Sequence, residues 1–94
     1  MKIKAGRPFK VDYERIESRL KNPRPFRKAF AKALSILQQG NGLAEEYVVN
    51  PLVAQGQGWY DRYIYENIIM IYKVEGNYVK LSRLGTPKDL EKER

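Results

Sequence analysis

The sequence predicts a single α+β domain: a short N-terminal strand and a helical hairpin packed on an antiparallel β-meander. Three observations carry this reading. Apolar residues between Tyr13 and Leu37 recur at spacings of three and four, interrupted only by Asn22-Pro23-Arg24-Pro25. From Trp59 to Leu84 the chain holds three runs of strand-forming residues separated by turns of two or three residues. The length, 94 residues with no repeat and no linker, fits one small core.

Each element has a local reason. Lys2-Ile3-Lys4 alternates as a strand does, and Gly6 and Pro8 close it. A first helix is expected from Asp12, whose carboxylate can cap a free backbone N–H, with Tyr13, Ile16 and Leu20 on one face. The double-proline segment breaks it, and Pro25 suits the first turn of a second helix because its missing N–H would be unpaired there anyway. In that helix Phe26, Phe30, Ala33, Leu34 and Leu37 form an apolar stripe, and Gly40-Asn41-Gly42 ends it. Tyr47-Val48-Val49 reads as a short extended piece and Gln55-Gly56-Gln57-Gly58 as a loop. Strands follow at Trp59–Tyr65, Ile68–Val74 and Tyr78–Leu84, the middle one apolar enough to be covered on both faces. Glu66-Asn67 and Glu75-Gly76-Asn77 are hairpin loops. The charged tail from Glu91 to Arg94 reads as a fraying helical end.

Composition excludes several chemistries. With no cysteine there is no disulfide, thiol catalysis or thiolate metal site; with no histidine there is no imidazole acid–base chemistry. No metal or other cofactor is expected. No apolar run is long enough to cross a bilayer, so a cytoplasmic protein without a membrane partner is expected. The net charge of +7 is unevenly placed. Residues 1–40 carry eleven Lys or Arg against three Asp or Glu; residues 41–94 carry seven against eight. Arg24, Arg27, Lys28 and Lys32 stud the second helix off its apolar stripe. Such an asymmetry suits an anionic partner, whether nucleic acid, an acidic protein or a membrane surface, or serves solubility alone. If the partner is RNA, these four and Arg62 are its candidate contacts.

The order of elements, with Pro51-Leu52, Gly58-Trp59-Tyr60-Asp61, Ile71-Tyr72-Lys73 and the corner Arg83-Leu84-Gly85-Thr86-Pro87 followed by Leu90, resembles the RelE/ParE superfamily of bacterial toxins from type II toxin–antitoxin systems, and within it the YafQ-like branch. The resemblance runs from about Phe9 to Leu90, densest in the C-terminal half. It implies a RelE-like fold, a ribosome-dependent mRNA endoribonuclease, and an acidic antitoxin encoded beside it. The sequence departs from the family pattern at the site. YafQ-like toxins carry three histidines and an acid in the cleft, and the matching positions here are Asn50, Tyr63, Pro87 and Asn67.

Metal-free RNA cleavage needs a base for the 2′-hydroxyl, positive charge on the phosphate and a proton for the departing 5′-oxygen. Arg83 is the candidate phosphate stabiliser, with Lys88 as a second cation. Asp61, Glu66 or a lysine is the candidate base, and Tyr63 or Tyr65 the candidate proton donor or stacking ring. The candidate catalytic set is therefore Arg83, Asp61, Tyr63, Asn67 and Lys88. Plainer readings stand beside these: Arg83 as a surface charge at a strand end, Asp61 as a solvated strand residue or a partner for Arg62 or Arg83, Pro87 as a turn former. Two other functions stay open at this point. One is a non-catalytic relative that binds RNA or an antitoxin. The other is a ParE-like inhibitor of DNA gyrase.

Overall fold

A computed structural model describes residues 1–40 and 59–91. The order is β1 (Lys2–Ala5), α1 (Arg7–Arg19), α2 (Arg24–Gln38), β2 (Trp59–Tyr65), β3 (Ile68–Glu75), β4 (Tyr78–Gly85) and α3 (Pro87–Glu91). The expected extended piece at 47–49, the loop at 55–58 and Asn50 lie outside the described residues, as do residues 92–94 of the tail.

The four strands form one mixed sheet in the order β1-β4-β3-β2. β2, β3 and β4 are the antiparallel meander, joined by the two-residue turns Glu66-Asn67 and Gly76-Asn77. Gly76 takes φ +56, a left-handed conformation open to glycine at little cost. β1 adds parallel to β4, with Ile3 opposite Val79 and Ala5 opposite Leu81.

Both helices lie over one face of the sheet. Phe9 and Ile16 of α1 and Phe26, Ala33 and Leu37 of α2 close on Met70, Tyr72, Val79, Leu81 and Leu84. Phe26, Met70, Val79 and Leu84 are wholly buried. Full burial of each such side chain is worth about 1.5–3 kcal/mol over exposure, so this layer supplies most of the fold's stability. Phe9, Tyr13, Phe26 and Phe30 form one aromatic cluster that locks α1 to α2. Gly40 ends α2 at φ +83, as its position in the sequence predicts.

The first helix differs from the expectation. It begins at Arg7, five residues before Asp12, with Gly6 as N-cap and Pro8 in its first turn. Pro8 was read as closing the strand, but a proline in a helix's first turn removes no hydrogen bond. Asp12 lies inside the helix and is buried.

Two irregularities set side-chain directions. In β2 the register slips between Tyr63 and Tyr65, so Ile64 and Tyr65 both pack toward the helix-side core. In β4 an extra residue falls opposite the Ile71–Tyr72 step, which pairs Leu81 with Tyr72 and Arg83 with Ile71.

The Gly-Thr-Pro corner is a helix start. Pro87 opens α3, the Asp89 N–H donates to the Thr86 hydroxyl at 3.2 Å, and the Thr86 N–H donates to the Asp89 carboxylate at 3.1 Å. This reciprocal capping box turns the chain out of β4. Leu90 then packs on Ile69 and Ile71, on the face away from α1 and α2. A Cβ on Gly85 would stand 2.9 Å from the Asp89 Cβ, closer than side chains tolerate. Gly85→Ala should therefore cost about 1–3 kcal/mol, the usual range for overpacking. A urea midpoint unchanged from wild type would show that α3 does not sit against Gly85.

Candidate active site on the sheet

Side chains that share a cross-strand row share a face. Asp61, Ile71 and Arg83 are successive Cα partners across β2, β3 and β4. Tyr63 pairs with Ile69 in the next row, and Trp59 with Lys73 in the row before. Trp59, Tyr63, Ile69 and Ile71 belong to the small core under Leu90, which identifies this as the face away from α1 and α2. Three of the five candidate catalytic residues, Arg83, Asp61 and Tyr63, thus meet on one surface. Lys88 is exposed on α3, at the same end of the sheet. Asn67 is exposed in the β2–β3 turn, beyond the end of the row.

Asp61 is 2% exposed, so it is not the solvated strand residue of the plainer reading. Arg83 is a partly buried cation with a defined partner. Its Nε donates to Asp12 Oδ2 at 2.7 Å and its Nη2 to Asp12 Oδ1 at 3.1 Å. The same carboxylate accepts the Leu84 backbone N–H at 3.0 Å and a hydrogen bond from Arg15 Nη2 at 2.8 Å. One buried carboxylate therefore faces two guanidiniums. Two-point contact fixes the plane of the Arg83 guanidinium and uses its Nε and Nη2 edge on Asp12.

Asp12 is the residue beside Arg83 that sequence reasoning assigned wrongly. Its signal was present, since spacing from Phe9 to Ile16 puts position 12 on the buried side of the helix. A carboxylate on an apolar stripe calls for a cation across the interface.

The candidate RNA contacts separate into two groups. Arg24, Arg27, Lys28 and Lys32 are all exposed on the outer side of α2, with Arg27 paired to Glu17 of α1. Arg62 lies elsewhere. It faces the helix side of the sheet, stacks over the Tyr60 ring at 5.0 Å and donates to the Asp61 carbonyl at 3.1 Å. Glu66 occupies the tight turn at φ 48, and Tyr65 packs edge-on against Phe26. Neither stands in the Arg83 row. An apolar groove of about 370 Å³ runs between β1, α1 and α2, lined by Ile3, Phe9, Tyr13, Phe30 and Leu34. It is remote from the row and holds no convergent polar groups beyond Lys10 and Glu14. Among the described residues no helix is long and apolar enough to cross a membrane, and no cluster of carboxylates could hold a metal.

Two outcomes follow from these ion pairs. Asp12→Ala should destabilise the fold by roughly 2–4 kcal/mol, somewhat below the cost of breaking a wholly buried pair because Arg83 keeps some solvent contact. Combining it with Arg83→Ala should cost less than the sum of the two changes, measured by urea unfolding. The second outcome concerns Asp89. Burial acts to raise its carboxyl, but hydrogen bonds with Thr86 and the charge of Arg19, 3.1 Å away, hold it below the usual carboxylate value. A carboxyl depressed in the folded state contributes stability above its unfolded value and loses it as pH falls through its folded value. Acidification below the ordinary aspartate range should release α3, and fluorescence of Trp59, the one tryptophan, should report it. Asp89→Asn should remove that transition.

Comparison with known proteins places this geometry in a family. A family model described as the bacterial toxin of type II toxin–antitoxin systems, YafQ, matches residues 1–92. A metal-bound toxin from Helicobacter pylori is similar in structure, with TM-score 0.77 and 20% identity over 96% of this chain and 98% of that one. YafQ from Escherichia coli BL21(DE3) gives TM-score 0.71 and 23% identity over 94% of each chain. The E. coli DinJ–YafQ complex gives TM-score 0.72 and 20% identity, again over 94% of each. No curated protein matches the chain. A four-stranded mixed sheet with two long helices on one face and a short third helix on the other is an α+β fold matching these toxins, and the chain belongs to the YafQ family of type II toxin–antitoxin toxins.

Proposed function

We propose that this toxin is a ribosome-dependent endoribonuclease that cuts mRNA in the cytoplasm through a histidine-free site. The observation that carries the reading is the gathering of Arg83, Asp61 and Tyr63 on one sheet face of a YafQ-family chain. In this mechanism Asp61, buried in the structure, is uncovered as RNA binds, takes the 2′-hydroxyl proton, and the 2′-oxygen attacks the adjacent phosphorus. The bond to the 5′-oxygen breaks, leaving a 2′,3′-cyclic phosphate on the upstream product. Arg83 carries the charge that builds on the phosphate oxygens, and Tyr63 protonates the leaving 5′-oxygen or stacks on a neighbouring base. Lys88 adds positive potential from α3, and Asn67 borders the site. The exposed cations Arg24, Lys28 and Lys32, on the far side of the sheet, grip ribosomal RNA while the site faces the message.

Its partner is an acidic antitoxin encoded beside it. E. coli YafQ has been solved bound to DinJ, and a net charge of +7 suits an acidic partner here.

The test is a translation extract with a defined mRNA and primer extension. Wild type should give new 5′ ends inside codons, only with ribosomes, and Arg83→Ala should lower their rate by roughly 10²–10³. Intact mRNA at every codon would overturn the nuclease reading. It would leave a toxin that binds without cutting, or one that acts on DNA gyrase, which a supercoiling assay tells apart.

A further inference from the structure

The face that carries Arg83 also carries a row of lysines assembled by the sheet. Lys4 of β1 pairs with Lys80 of β4, Lys80 with Lys73 of β3, and Lys73 with Trp59 of β2. One line thus crosses all four strands, about 14 Å long at ordinary strand spacing. Ile3, Ala5, Val79 and Leu81 point into the helix-side core, so Lys4 and Lys80 between them point the other way. Lys2 and Tyr78 pair in the adjoining row. Aromatic rings are interleaved with the cations: Lys4 Nζ stands 4.2 Å from the Tyr78 ring centre and Lys73 Nζ 5.5 Å from that of Trp59. Lys4 and Lys80 are exposed. Among the described residues only α3 covers this face, over Ile69 and Ile71 at the other end.

We infer that this row is a track for single-stranded RNA, its phosphates on Lys4, Lys80 and Lys73 and its bases against Trp59 and Tyr78. The inference rests on the nuclease reading for the identity of the ligand; its geometry is independent of the cleavage step. Cations alternating with ring faces on an open sheet are what a flexible strand with exposed bases requires. The next row on the same face holds Asp61 and Arg83, about 7 Å along the strands. RNA lying on the lysines therefore runs beside the reacting residues, with the track holding nucleotides next to the one that is cut. Glu75 is the carboxylate against it, bonded to Lys73 at 2.9 Å and accepting from the Tyr78 hydroxyl at 2.9 Å. It guards the row, and Glu75→Gln should tighten RNA binding.

Titrating the full chain with a short oligouridylate, without ribosomes, tests the track. Trp59 is the one tryptophan and stands in the row, so its quenching reads RNA on this face and not on α2. The combined change Lys4→Gln, Lys73→Gln and Lys80→Gln should weaken binding by roughly tenfold at moderate salt and flatten the log–log salt slope by about 2, at ~0.7 per lost phosphate contact on single strands. Should the triple variant fold poorly, Lys80→Gln alone, at an exposed position, should flatten the slope by about 0.7. Wild-type affinity and slope in these variants would overturn the track and leave the lysines as solubilising charges on the sheet. The two readings fail separately. Row-dependent binding by a protein that never cuts mRNA keeps the track and sinks the nuclease. Cutting with row-independent binding does the reverse.

Discussion

The buried carboxylate of Asp12 is the contact on which the arrangement depends. β1 stops at Ala5, opposite Leu81, so the last part of β4 is paired with β3 but has no strand on its other side. An unpaired N–H there would cost about as much as a lost hydrogen bond. α1 lies against that stretch, and Asp12 supplies the missing acceptor by taking the Leu84 N–H. The same two oxygens hold Arg83 and Arg15. A single side chain thus finishes the sheet edge, docks the first helix and aims the arginine. Arg19 and Asp89 extend the seam by tying α1 to α3.

This seam lets the sheet's two faces diverge. On one, α1 and α2 bury a continuous apolar layer. On the other, Asp61, Tyr63 and Arg83 gather beside a short helix that covers little more than Ile69 and Ile71. The bulges serve the same division. The slip in β2 sends Tyr65 to the core while Tyr63 stays outside, and the extra residue in β4 brings Arg83 into line with Asp61. Basic charge then lies on both outer surfaces, on α2 and on the strand face, with the core between them.

Much of this was legible in the sequence. The apolar stripe of α2, its glycine stop and the limits of the three meander strands follow from period and turn chemistry, because those signals are local. Arg83, Asp61 and Tyr63 were nominated through the resemblance, and the register sets them on one face of the sheet. What stayed hidden depended on tertiary contact. Asp12 looked like a cap because acids usually are; only the packed interface shows the arginine across from it. Pro8 looked like a strand stop because it serves equally well in a helix's first turn. The lysine row could not be read, since residues 4, 73 and 80 become neighbours only when β1 joins β4 in parallel. Of α3 only a fraying helical end from Glu91 was read, because five residues carry no period; the evidence for its start at Pro87 was the Thr-Pro-Lys-Asp capping pattern.

Two arginines on one aspartate have a further consequence. Guanidinium groups remain protonated at every pH at which a protein stays folded, and this chain has no imidazole to gain or lose charge near neutrality. The charges of Arg83 and Arg15 are therefore fixed by covalent chemistry and not by the proton concentration of the surroundings. A histidine-lined cleft dims as the medium turns alkaline and brightens as it turns acidic; the two guanidiniums that share Asp12 keep the same charge across that range, so their pairing holds as the internal pH of a cell drifts.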